Sequence, residues 1–487
     1  MNYLSLSFVA FVLLTALLYY IVPTKWRGGI LLLASLVFYG CFDIKYLTFL
    51  LFSALTTFLT ARFLGAAKRK KLLVGGCIAL NAAVWFVIKE VPWLLTTGNR
   101  LFAKLGVEFT APSFKILVPV GISYFTLQAI AYLVDVAKEK IAPETNFGKY
   151  LLFLSWFPAI VQGPISRYDQ LMPQLLNKEK LSFERTRSSL LLILFGLVKK
   201  MVIADRLGIF VNTVFSQYAE LRGVILYLGA VGYAIQLYTD FSGCVDICRG
   251  VSGLFGVELV HNFNRPYFSL SIKEFWGKWH MSLSGWLKDY IYIPLGGNRK
   301  GTLRKYFNIL ATFLVSGLWH GAGFNFFLWG AMHAGFQIIG QATEKLRAKI
   351  KGWIGVEKGS LSERIYQTVI TFNLVTLAWI VFRAGGLMTG LRYIWRMVSQ
   401  SALWVLFDGS LFEFGLSQNY LIFLLIHICI LFAVELCTKR QEDVVSGLTR
   451  QHLILRWSIY LLLIFDVLLF GVYGSGYNMA GFMYGGF

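Results

Sequence analysis

The chain has 487 residues, of which 57% are hydrophobic and only 15% are charged, and its formal net charge is +21. A soluble protein of this length would carry about 25% charged residues. Apolar runs close to 20 residues recur along the chain, and about 20 residues cross a ~30 Å hydrocarbon core as a helix. The composition excludes an ordinary soluble enzyme and predicts an all-α polytopic membrane protein. The positive charge is assigned to cytoplasmic loops and anionic membrane lipids, not to a nucleic-acid partner.

The first predicted element is a spanning helix, 3-YLSLSFVAFVLLTALLYYIV-22. It lacks the basic region and the cleavage site of a signal peptide, and its apolar run is too long for one. Further apolar segments follow it and are predicted to be membrane helices. They are 29–42, 46–64, 72–89, 115–136, 188–216 (bent), 224–245, 306–319, 323–342, 365–382, 419–437 and 454–473.

The apolar run 150-YLLFLSWFPAIVQGPI-165 is too short and too broken to be another span. Pro158, Gly163 and Pro164 interrupt the helix, and a crossing here would place the basic segment 166–187 outside. A re-entrant segment that returns to the cytoplasmic side resolves both problems. Irregular backbone at membrane depth survives only inside protein or beside a water-filled cavity. We therefore expect this segment to line a cavity.

Basic clusters set the expected orientation, because cytoplasmic loops are enriched in Lys and Arg. The segments 62-RFLGAAKRKK-71, 246–305 and 345-KLRAKIK-351 are predicted to be cytoplasmic, together with Lys439 and Arg440. This assignment places both termini on the extracytoplasmic side.

The stretch 316-SGLWHGAGFNFFLWGAMHAGF-336 carries His320 within an aromatic and glycine-rich run. The preceding segment, 306–319, must go out and return with 323–342, yet its 14 residues span only about 21 Å. We expect the turn at His320 to lie within the membrane, in a buried cavity. An intramembrane ionisable group is a functional hypothesis by default, and imidazole suits a general base. The alternative is a histidine that only hydrogen-bonds a neighbouring carbonyl.

His333 lies on the next predicted helix, about 15 Å along the axis from Gly323. This spacing is too long for a contacting pair with His320. A structural or cavity-lining role is therefore expected for His333.

The segment 263-FNRPYFSLSIKEFWGKWHMSLSGWLKDYIYIPLGGNRKG-301 mixes basic and aromatic residues. This pattern is typical of an amphipathic helix on the membrane surface, followed by a turn. Trp276, Trp279 and Trp286 would then be interface anchors.

His280 stands among these tryptophans, and two interpretations are open. It is either an interface histidine or a second polar residue that reaches the cavity of His320. Downstream, 296-GGNRKG-301 is either an ordinary turn or a site where backbone N–H groups approach a phosphate, with Arg299 or Lys300.

The segment 236-QLYTDFSGCVDICRG-250 places Asp240 and Asp246 in or near a membrane helix. An intramembrane aspartate is functional or paired with a basic residue, and Arg249 and Arg265 are the candidate partners. The six cysteines have no His or carboxylate cluster with metal-ligand spacing around them, so no metal site is predicted.

Together these segments resemble the membrane-bound O-acyltransferases (MBOAT), of the bacterial alginate O-acetyltransferase type. The motifs run in the family's order and cover most of residues 1–340, whereas the C-terminal third matches only as generic membrane helices. The matching motifs are 121-GISYFTLQAIAYLVDV-136, 157-FPAIVQGPISRY-168, 238-YTDFSG-243, 262-NFNRPY-267, 274-EFWGKWHMSLSGWLKDYIYIPLGGNR-299 and 318-LWHGAGFNFFLWGAMHAG-335.

The resemblance implies an MBOAT-type fold of roughly eleven to thirteen transmembrane or re-entrant helices around a central tunnel. One integral-membrane domain then contains N-terminal helices (1–145), a catalytic core (146–345) and C-terminal helices (346–487).

The resemblance also implies roles for individual residues. His320 matches the family's invariant histidine, the expected catalytic base. His280 matches a second polar position, which is Asn in many eukaryotic lipid acyltransferases. Arg265, Lys278, Trp279, Arg299 and Lys300 are expected to bind the acyl donor, and Trp319, Asn325, His333, Asp240 and Asn264 to line the tunnel.

The implied activity is transfer of acetyl from cytoplasmic acetyl-CoA, with no bound cofactor, for O-acetylation of a cell-wall glycan or an exopolysaccharide. In the bacterial branch the acetyl group usually passes to an extracytoplasmic partner, often an SGNH-hydrolase-like acetyltransferase. The implied location is the bacterial cytoplasmic membrane.

Three alternative functions remain open. The first is D-alanyl or other acyl transfer to teichoic acid, although the FNRPY and WHMSLS forms favour the O-acetyl branch. The second is a transporter or flippase without covalent chemistry, weakened by the lack of an evident inverted repeat. The third is a scaffold of a secretion complex, which would tolerate substitution of His320 and His280.

Overall fold

The structure is a computed structural model, and it describes residues 1–107, 117–177, 179–438 and 441–473. Within these ranges every regular element is a helix. The α-helices in chain order are α1 (Leu6–Ile21), α2 (Arg27–Gly40), α3 (Tyr46–Phe63), α4 (Lys70–Lys89), α5 (Val91–Lys104), α6 (Ile122–Ala137), α7 (Phe147–Ser155), α8 (Tyr168–Leu175), α9 (Phe183–Leu197), α10 (Asp205–Ser216), α11 (Val224–Leu254), α12 (Ile272–Lys278), α13 (Met281–Leu287), α14 (Thr302–His320), α15 (Phe324–Ala342), α16 (Glu344–Trp353), α17 (Leu361–Arg383), α18 (Leu387–Ser399), α19 (Gln418–Cys437), α20 (Gln441–Thr449) and α21 (Leu453–Phe470).

Among the described residues, six helices are long and apolar enough to cross a membrane. Two shorter apolar helices, α1 and α6, accompany them. The all-α polytopic prediction is confirmed. Lys439 and Arg440, which entered the predicted orientation, lie outside the described residues, as do the first two residues of the predicted segment 115–136. The six helices are Tyr46–Ala66, Lys70–Lys89, Val224–Leu254, Leu361–Arg383, Gln418–Cys437 and Leu453–Phe470.

The described residues divide into two compact units. Unit 1 contains residues 1–193 and 245–260, and unit 2 contains residues 194–244 and 261–473. All the residues predicted for the functional site belong to unit 2.

In unit 1, the segment 150–165 is a short helix followed by irregular backbone. The helix α7 ends at Ser155, and the chain then makes turns through 156–166 with every residue buried. The Trp156 indole N–H donates to Ser252 Oγ at 3.0 Å. The irregular backbone is thus enclosed by protein, as expected for such a segment. Its return to one membrane face stays a prediction.

In unit 2, the helices α14 and α15 form a closely packed antiparallel hairpin. A Cβ added at Gly317 would collide with the carbonyl oxygen of Phe326, and one at Gly330 would collide with that of Phe313. Small residues let two helix backbones approach in this way. The two contacts have the register of antiparallel neighbours joined by the turn 321–323.

The helix α14 is longer than predicted. It has 19 residues and begins at Thr302, which gives a length of about 28 Å. The predicted start of this helix is therefore wrong, because Arg304 and Lys305 belong to the first helical turn and not to the preceding loop. Among the described residues, α14 is not one of the six helices long and apolar enough to cross a membrane. The depth of His320 in the membrane stays a prediction.

The bend predicted within 188–216 is a π-helical segment, Val198–Ala204, between α9 and α10. Insertions of this kind commonly kink helices and often occur at functional sites. Gly243 of α11 lies against it, since a Cβ there would come within 2.8 Å of the Gly196 carbonyl oxygen and 3.2 Å of the Lys200 nitrogen. The π segment and this close approach place Lys200 beside α11.

Candidate active site

His280 lies at a break between two short helices, α12 and α13, and not on one continuous helix. Its backbone is left-handed, with φ 43° and ψ 53°. Non-glycine residues rarely adopt this conformation. Such strain persists only where the surrounding structure holds it, and it clusters at functional sites.

Two backbone hydrogen bonds hold the chain on either side of His280. The N–H of Asn264 donates to the carbonyl oxygen of Lys278 at 3.0 Å, and the N–H of Met281 donates to that of Asn262 at 3.0 Å. The segment that precedes α12 therefore fixes the left-handed turn.

Asn262 is a positioning residue that was not among the predicted site residues. Its side chain is 1% exposed, and its Oδ1 accepts a hydrogen bond from the N–H of Ser282 at 3.1 Å. Its position as the first residue of 262-NFNRPY-267 could have indicated this role, because asparagine readily hydrogen-bonds nearby backbone groups.

The tryptophans of this segment are buried in the protein. Trp276 is 8% exposed, Trp279 is 0% and Trp286 is 5%. The prediction that they are membrane-interface anchors is wrong, because their rings pack against other aromatic side chains of unit 2. For example, the Trp279 ring centroid lies 5.1 Å from that of Trp379. His280 is also 0% exposed, which excludes the interface interpretation.

His320 is the last residue of α14 and is 1% exposed. Its ring centroid lies 4.9 Å from that of Trp319 and 5.0 Å from that of Trp329. The Trp319 ring in turn lies 5.9 Å from the His280 ring. One tryptophan thus separates the two histidines that the sequence singled out.

His333, on α15, joins the same group of rings. Its centroid lies 5.0 Å from that of Trp329, and its Nδ1 accepts the Trp276 indole N–H at 3.2 Å. We call His280, His320 and His333, with Trp319 and Trp329, the histidine cluster. All of it lies in unit 2.

The comparison with known sequences agrees with this geometry. Residues 31–354, which contain the entire histidine cluster, match the MBOAT, membrane-bound O-acyltransferase family. The chain belongs to this family. It is an acyltransferase, and the resemblance drawn from the motifs is confirmed.

Curated relatives of this acyltransferase include bacterial enzymes of glycan modification. The peptidoglycan O-acetyltransferase of Helicobacter pylori is 34% identical over 414 residues, which are 77% of this chain and 74% of the relative. The probable alginate O-acetylase AlgI of Pseudomonas aeruginosa is 35% identical over 391 residues, or 78% and 70%. The teichoic acid D-alanyltransferase of Bacillus subtilis is 28% identical over 291 residues, or 56% and 70%.

A second buried polar group of the acyltransferase surrounds Asp240. Its Oδ1 lies 2.5 Å from Lys200 Nζ, which is also 2.8 Å from Asp205 Oδ1. The Asp240 and Lys200 side chains are both nearly fully buried. We call these three residues the ion-pair cluster. The sequence pattern indicated Arg249 and Arg265 as candidate partners of Asp240. It did not indicate Lys200, although Lys199 and Lys200 form a lysine pair inside an apolar run.

The helix α11 links this cluster to the histidines. The residue after Asp240, Phe241, has its ring centroid 4.8 Å from that of His280. Both contacts lie within unit 2. Consecutive residues of α11 therefore contact the ion-pair cluster and His280.

The residues predicted to bind the acyl donor differ in their surroundings. Lys278 Nζ pairs with Glu274 Oε1 at 2.7 Å, and Arg265 Nη1 donates to the carbonyl oxygen of Glu435 at 3.3 Å. Arg265 also has a left-handed backbone, with φ 49°. Both basic residues thus have partners within the protein.

Arg299 and Lys300 are different, because both are exposed in the turn that follows Gly297. Asn308 holds this turn against α14, since its Nδ2 donates to the Gly297 carbonyl oxygen at 2.9 Å. The two basic side chains are available to a ligand at the protein surface, whereas Trp279 is enclosed among aromatic rings.

The remaining predicted tunnel residues have mixed surroundings. Asn325 is 7% exposed, and its Nδ2 donates to the carbonyl oxygen of Ala384 at 3.3 Å. Asn264 is half-buried, and its backbone N–H supports the turn at His280. Both residues position nearby backbone.

Proposed function

We propose that the chain transfers an acetyl group from acetyl-CoA to a hydroxyl group of a polysaccharide or cell-wall glycan, with His320 as the general base. The observation that carries the proposal is the histidine cluster, three fully buried imidazoles linked by two tryptophans, within the residues that match an acyltransferase family. The names of the O-acetyltransferase relatives support the choice of acyl group and acceptor.

His320 would accept the proton of the acceptor hydroxyl while the hydroxyl oxygen attacks the thioester carbonyl carbon. Imidazole has an ordinary pKa near neutrality, which suits a base that must also return its proton. The thiolate of CoA would leave and take up the proton. The acetyl group reaches the glycan directly or through an acetyl relay.

His280 would position the acyl group or donate a hydrogen bond to the developing oxyanion. The strained turn and the two hydrogen bonds that hold it support a fixed orientation. A geometry held in this way contributes to catalysis because the group need not reorganise during reaction.

The exposed turn with Arg299 and Lys300, and the exposed Arg304 at the start of α14, would bind the phosphates of CoA. Arginine and lysine side chains form strong charge-assisted hydrogen bonds with phosphate. The proposal places this turn on the cytoplasmic side of a bacterial cytoplasmic membrane, with both termini outside.

The acceptor would be reached through an extracytoplasmic partner of the SGNH-hydrolase-like acetyltransferase type. The multi-pass helices and the assignment of donor and acceptor to opposite sides support a relay across the membrane. The partner would carry acetyl from this chain to the glycan.

The test uses purified wild type, His320→Ala and the control His452→Ala, whose histidine is exposed at the start of α21. Each is given radiolabelled acetyl-CoA with membranes that contain the native glycan, and free CoA and transferred label are counted. We expect His320→Ala to lose about 10²–10⁴-fold in turnover, while the control retains activity. Equal turnover of His320→Ala and wild type would exclude His320 as the base.

A parallel arm replaces acetyl-CoA with a carrier protein loaded with D-alanine. Stimulation by that donor alone would favour teichoic-acid acylation over the proposal. The D-alanyltransferase of Bacillus subtilis covers a smaller share of this chain than the O-acetylating relatives do, which supports the acetyl donor.

A further inference from the structure

Four neighbouring aromatic side chains of unit 2 each have a buried ring nitrogen for which no described residue supplies a hydrogen-bond partner. These atoms are the indole nitrogens of Trp279, Trp329 and Trp379 and Nε2 of His333. All four side chains are 0% exposed. Buried indole N–H groups usually find a partner, and a buried donor left without one is destabilising. We call these four residues the donor cluster.

The contact between Trp276 and His333 determines which His333 nitrogen carries the proton. An indole N–H can only donate, so Nδ1 of His333 must be the acceptor in the 3.2 Å contact. An accepting Nδ1 carries no proton, and a neutral imidazole then has its proton on Nε2. His333 is therefore a neutral donor through Nε2–H.

The members of the donor cluster are neighbours. The ring centroids of Trp329 and His333 are 5.0 Å apart, those of Trp329 and Trp379 are 5.8 Å apart, and those of Trp279 and Trp379 are 5.1 Å apart. His320 lies against Trp329 at 5.0 Å. One member of the donor cluster, Trp329, thus adjoins the proposed general base, and the other three follow it through ring contacts.

The chemistry of this group selects its ligand. Each member presents an N–H and none presents an acceptor, so the cluster suits an oxygen that has lone pairs and no proton. A carbonyl oxygen has this character. The hydroxyl nucleophile does not, because it must give its proton to His320.

We propose that the donor cluster binds the carbonyl oxygen of the acyl donor and stabilises the oxyanion formed from it, an inference that rests on the proposed function. His333 and Trp329 are its principal members, because Trp329 contacts both His333 and His320. In this proposal the oxyanion accepts hydrogen bonds from the donor cluster, and His280 positions the acyl group.

In this step the hydroxyl oxygen forms a bond to the carbonyl carbon while its proton moves to His320. The electron pair of the C=O π bond moves onto the oxygen, which accepts hydrogen bonds from the donor cluster. When the C=O bond re-forms, the C–S bond breaks. The CoA thiolate leaves and takes the proton from His320, so that an ester and free CoA result.

The test measures binding of two unreactive donor analogues to the full chain in detergent. One is the ketone in which a methylene replaces the thioester sulfur, and the other is S-ethyl-CoA, which lacks the carbonyl oxygen. We expect wild type to bind the ketone about tenfold more tightly than S-ethyl-CoA, the scale of one hydrogen bond. In Trp329→Phe and in His333→Phe this ratio should fall towards one, with S-ethyl-CoA affinity retained.

The control is Trp353→Phe, which replaces a tryptophan that is 75% exposed on α16 and should leave the ratio unchanged. Turnover provides a second readout, since loss of one oxyanion donor lowers kcat by about 10²–10³-fold with little change in KM. If one variant fails to fold, the other still tests the proposal.

Three outcomes would contradict it. An unchanged ratio in both variants means that the N–H groups rest on aromatic faces and bind no oxygen. Equal loss of both analogues means that the cluster is only structural. In both cases the proposed acetyl transfer stands, whereas wild type that binds neither analogue overturns the donor assignment and this inference together.

Discussion

Two buried polar groups of unit 2 differ in how their hydrogen-bonding capacity is used. The ion-pair cluster places Lys200 between the carboxylates of Asp205 and Asp240, at 2.8 and 2.5 Å. The donor cluster instead contains neutral groups, and at Trp329 and His333 it leaves a buried nitrogen without a partner among the described residues. The charges of the ion-pair cluster neutralise one another, whereas the N–H groups of the donor cluster can donate to a ligand.

This difference indicates that the ion-pair cluster stabilises the fold and that the donor cluster binds a substrate. Buried charges are tolerated only when paired, so the ion-pair cluster must form within the protein. A neutral donor without a partner costs less free energy than an unpaired buried charge, so the donor cluster can remain unpaired until a ligand binds. Substitutions should therefore affect stability first in the ion-pair cluster and chemistry first in the histidine and donor clusters.

The largest stability effect is expected from Lys200→Met. Removing the ammonium leaves Asp205 and Asp240 without their shared counter-charge, and breaking a buried pair in this way costs about 3–5 kcal/mol. Thermal unfolding of the purified protein measures it. The triple variant with Asp205→Asn and Asp240→Asn added should regain most of the loss, because no buried charge then lacks a partner. If the single variant is as stable as wild type, the cluster does not hold the fold.

The next effect is expected from Asp240→Asn alone. Lys200 keeps Asp205 as a counter-ion, so the loss should be smaller, about 1–3 kcal/mol. Because Phe241 contacts His280, turnover should fall modestly as well. Unfolding and CoA release measured on one preparation separate the two effects. A large loss of turnover with unchanged stability would instead indicate that Asp240 acts directly in catalysis.

The sequence predicted most of the long apolar helices and singled out His280, His320 and His333, because apolar runs and isolated imidazoles are local signals. It did not predict that Trp276 and Trp279 are buried, because a basic and aromatic segment has the same composition on a membrane surface and inside a protein. The start of α14 was missed since Arg304 and Lys305 suggested a loop. The pairing of Lys200 with Asp240 depends on the π-helical segment and on Gly243, which is distant in sequence. No local sequence pattern predicts such a contact.

A smaller effect tests the packing that places the donor cluster. In Gly330→Ala the new Cβ would meet the Phe313 carbonyl oxygen, and such overpacking costs about 1–3 kcal/mol. The backbone must move between Trp329 and His333, so turnover should fall too. Gly335→Ala is the matched control on the same helix, because a Cβ there meets nothing within 4 Å. Equal behaviour of the two variants would show that the hairpin spacing does not position the cluster.

The smallest effect concerns a half-buried charge of unit 1, Glu144, in the loop between α6 and α7. Burial alone would raise its pKa, but hydrogen bonds from the Tyr168 hydroxyl and from the backbone N–H groups of Asn146 and Thr145 hold the pKa of Glu144 below its ordinary value. A carboxyl with a lowered pKa stabilises the fold above its unfolded pKa of about 4.3, and this contribution is lost as the pH falls through its folded pKa.

Glu144→Gln should therefore lower thermal stability slightly at pH 7, by less than about 1 kcal/mol because the site is partly open to water. The difference from wild type should shrink as the pH falls below about 4. Melting curves of both proteins across pH check this. A difference that stays constant with pH would mean that the ionised carboxylate is not what Tyr168 and the backbone recognise. The hydrogen bonds to Glu144 would then not require its negative charge, whereas those of the ion-pair cluster do require charge.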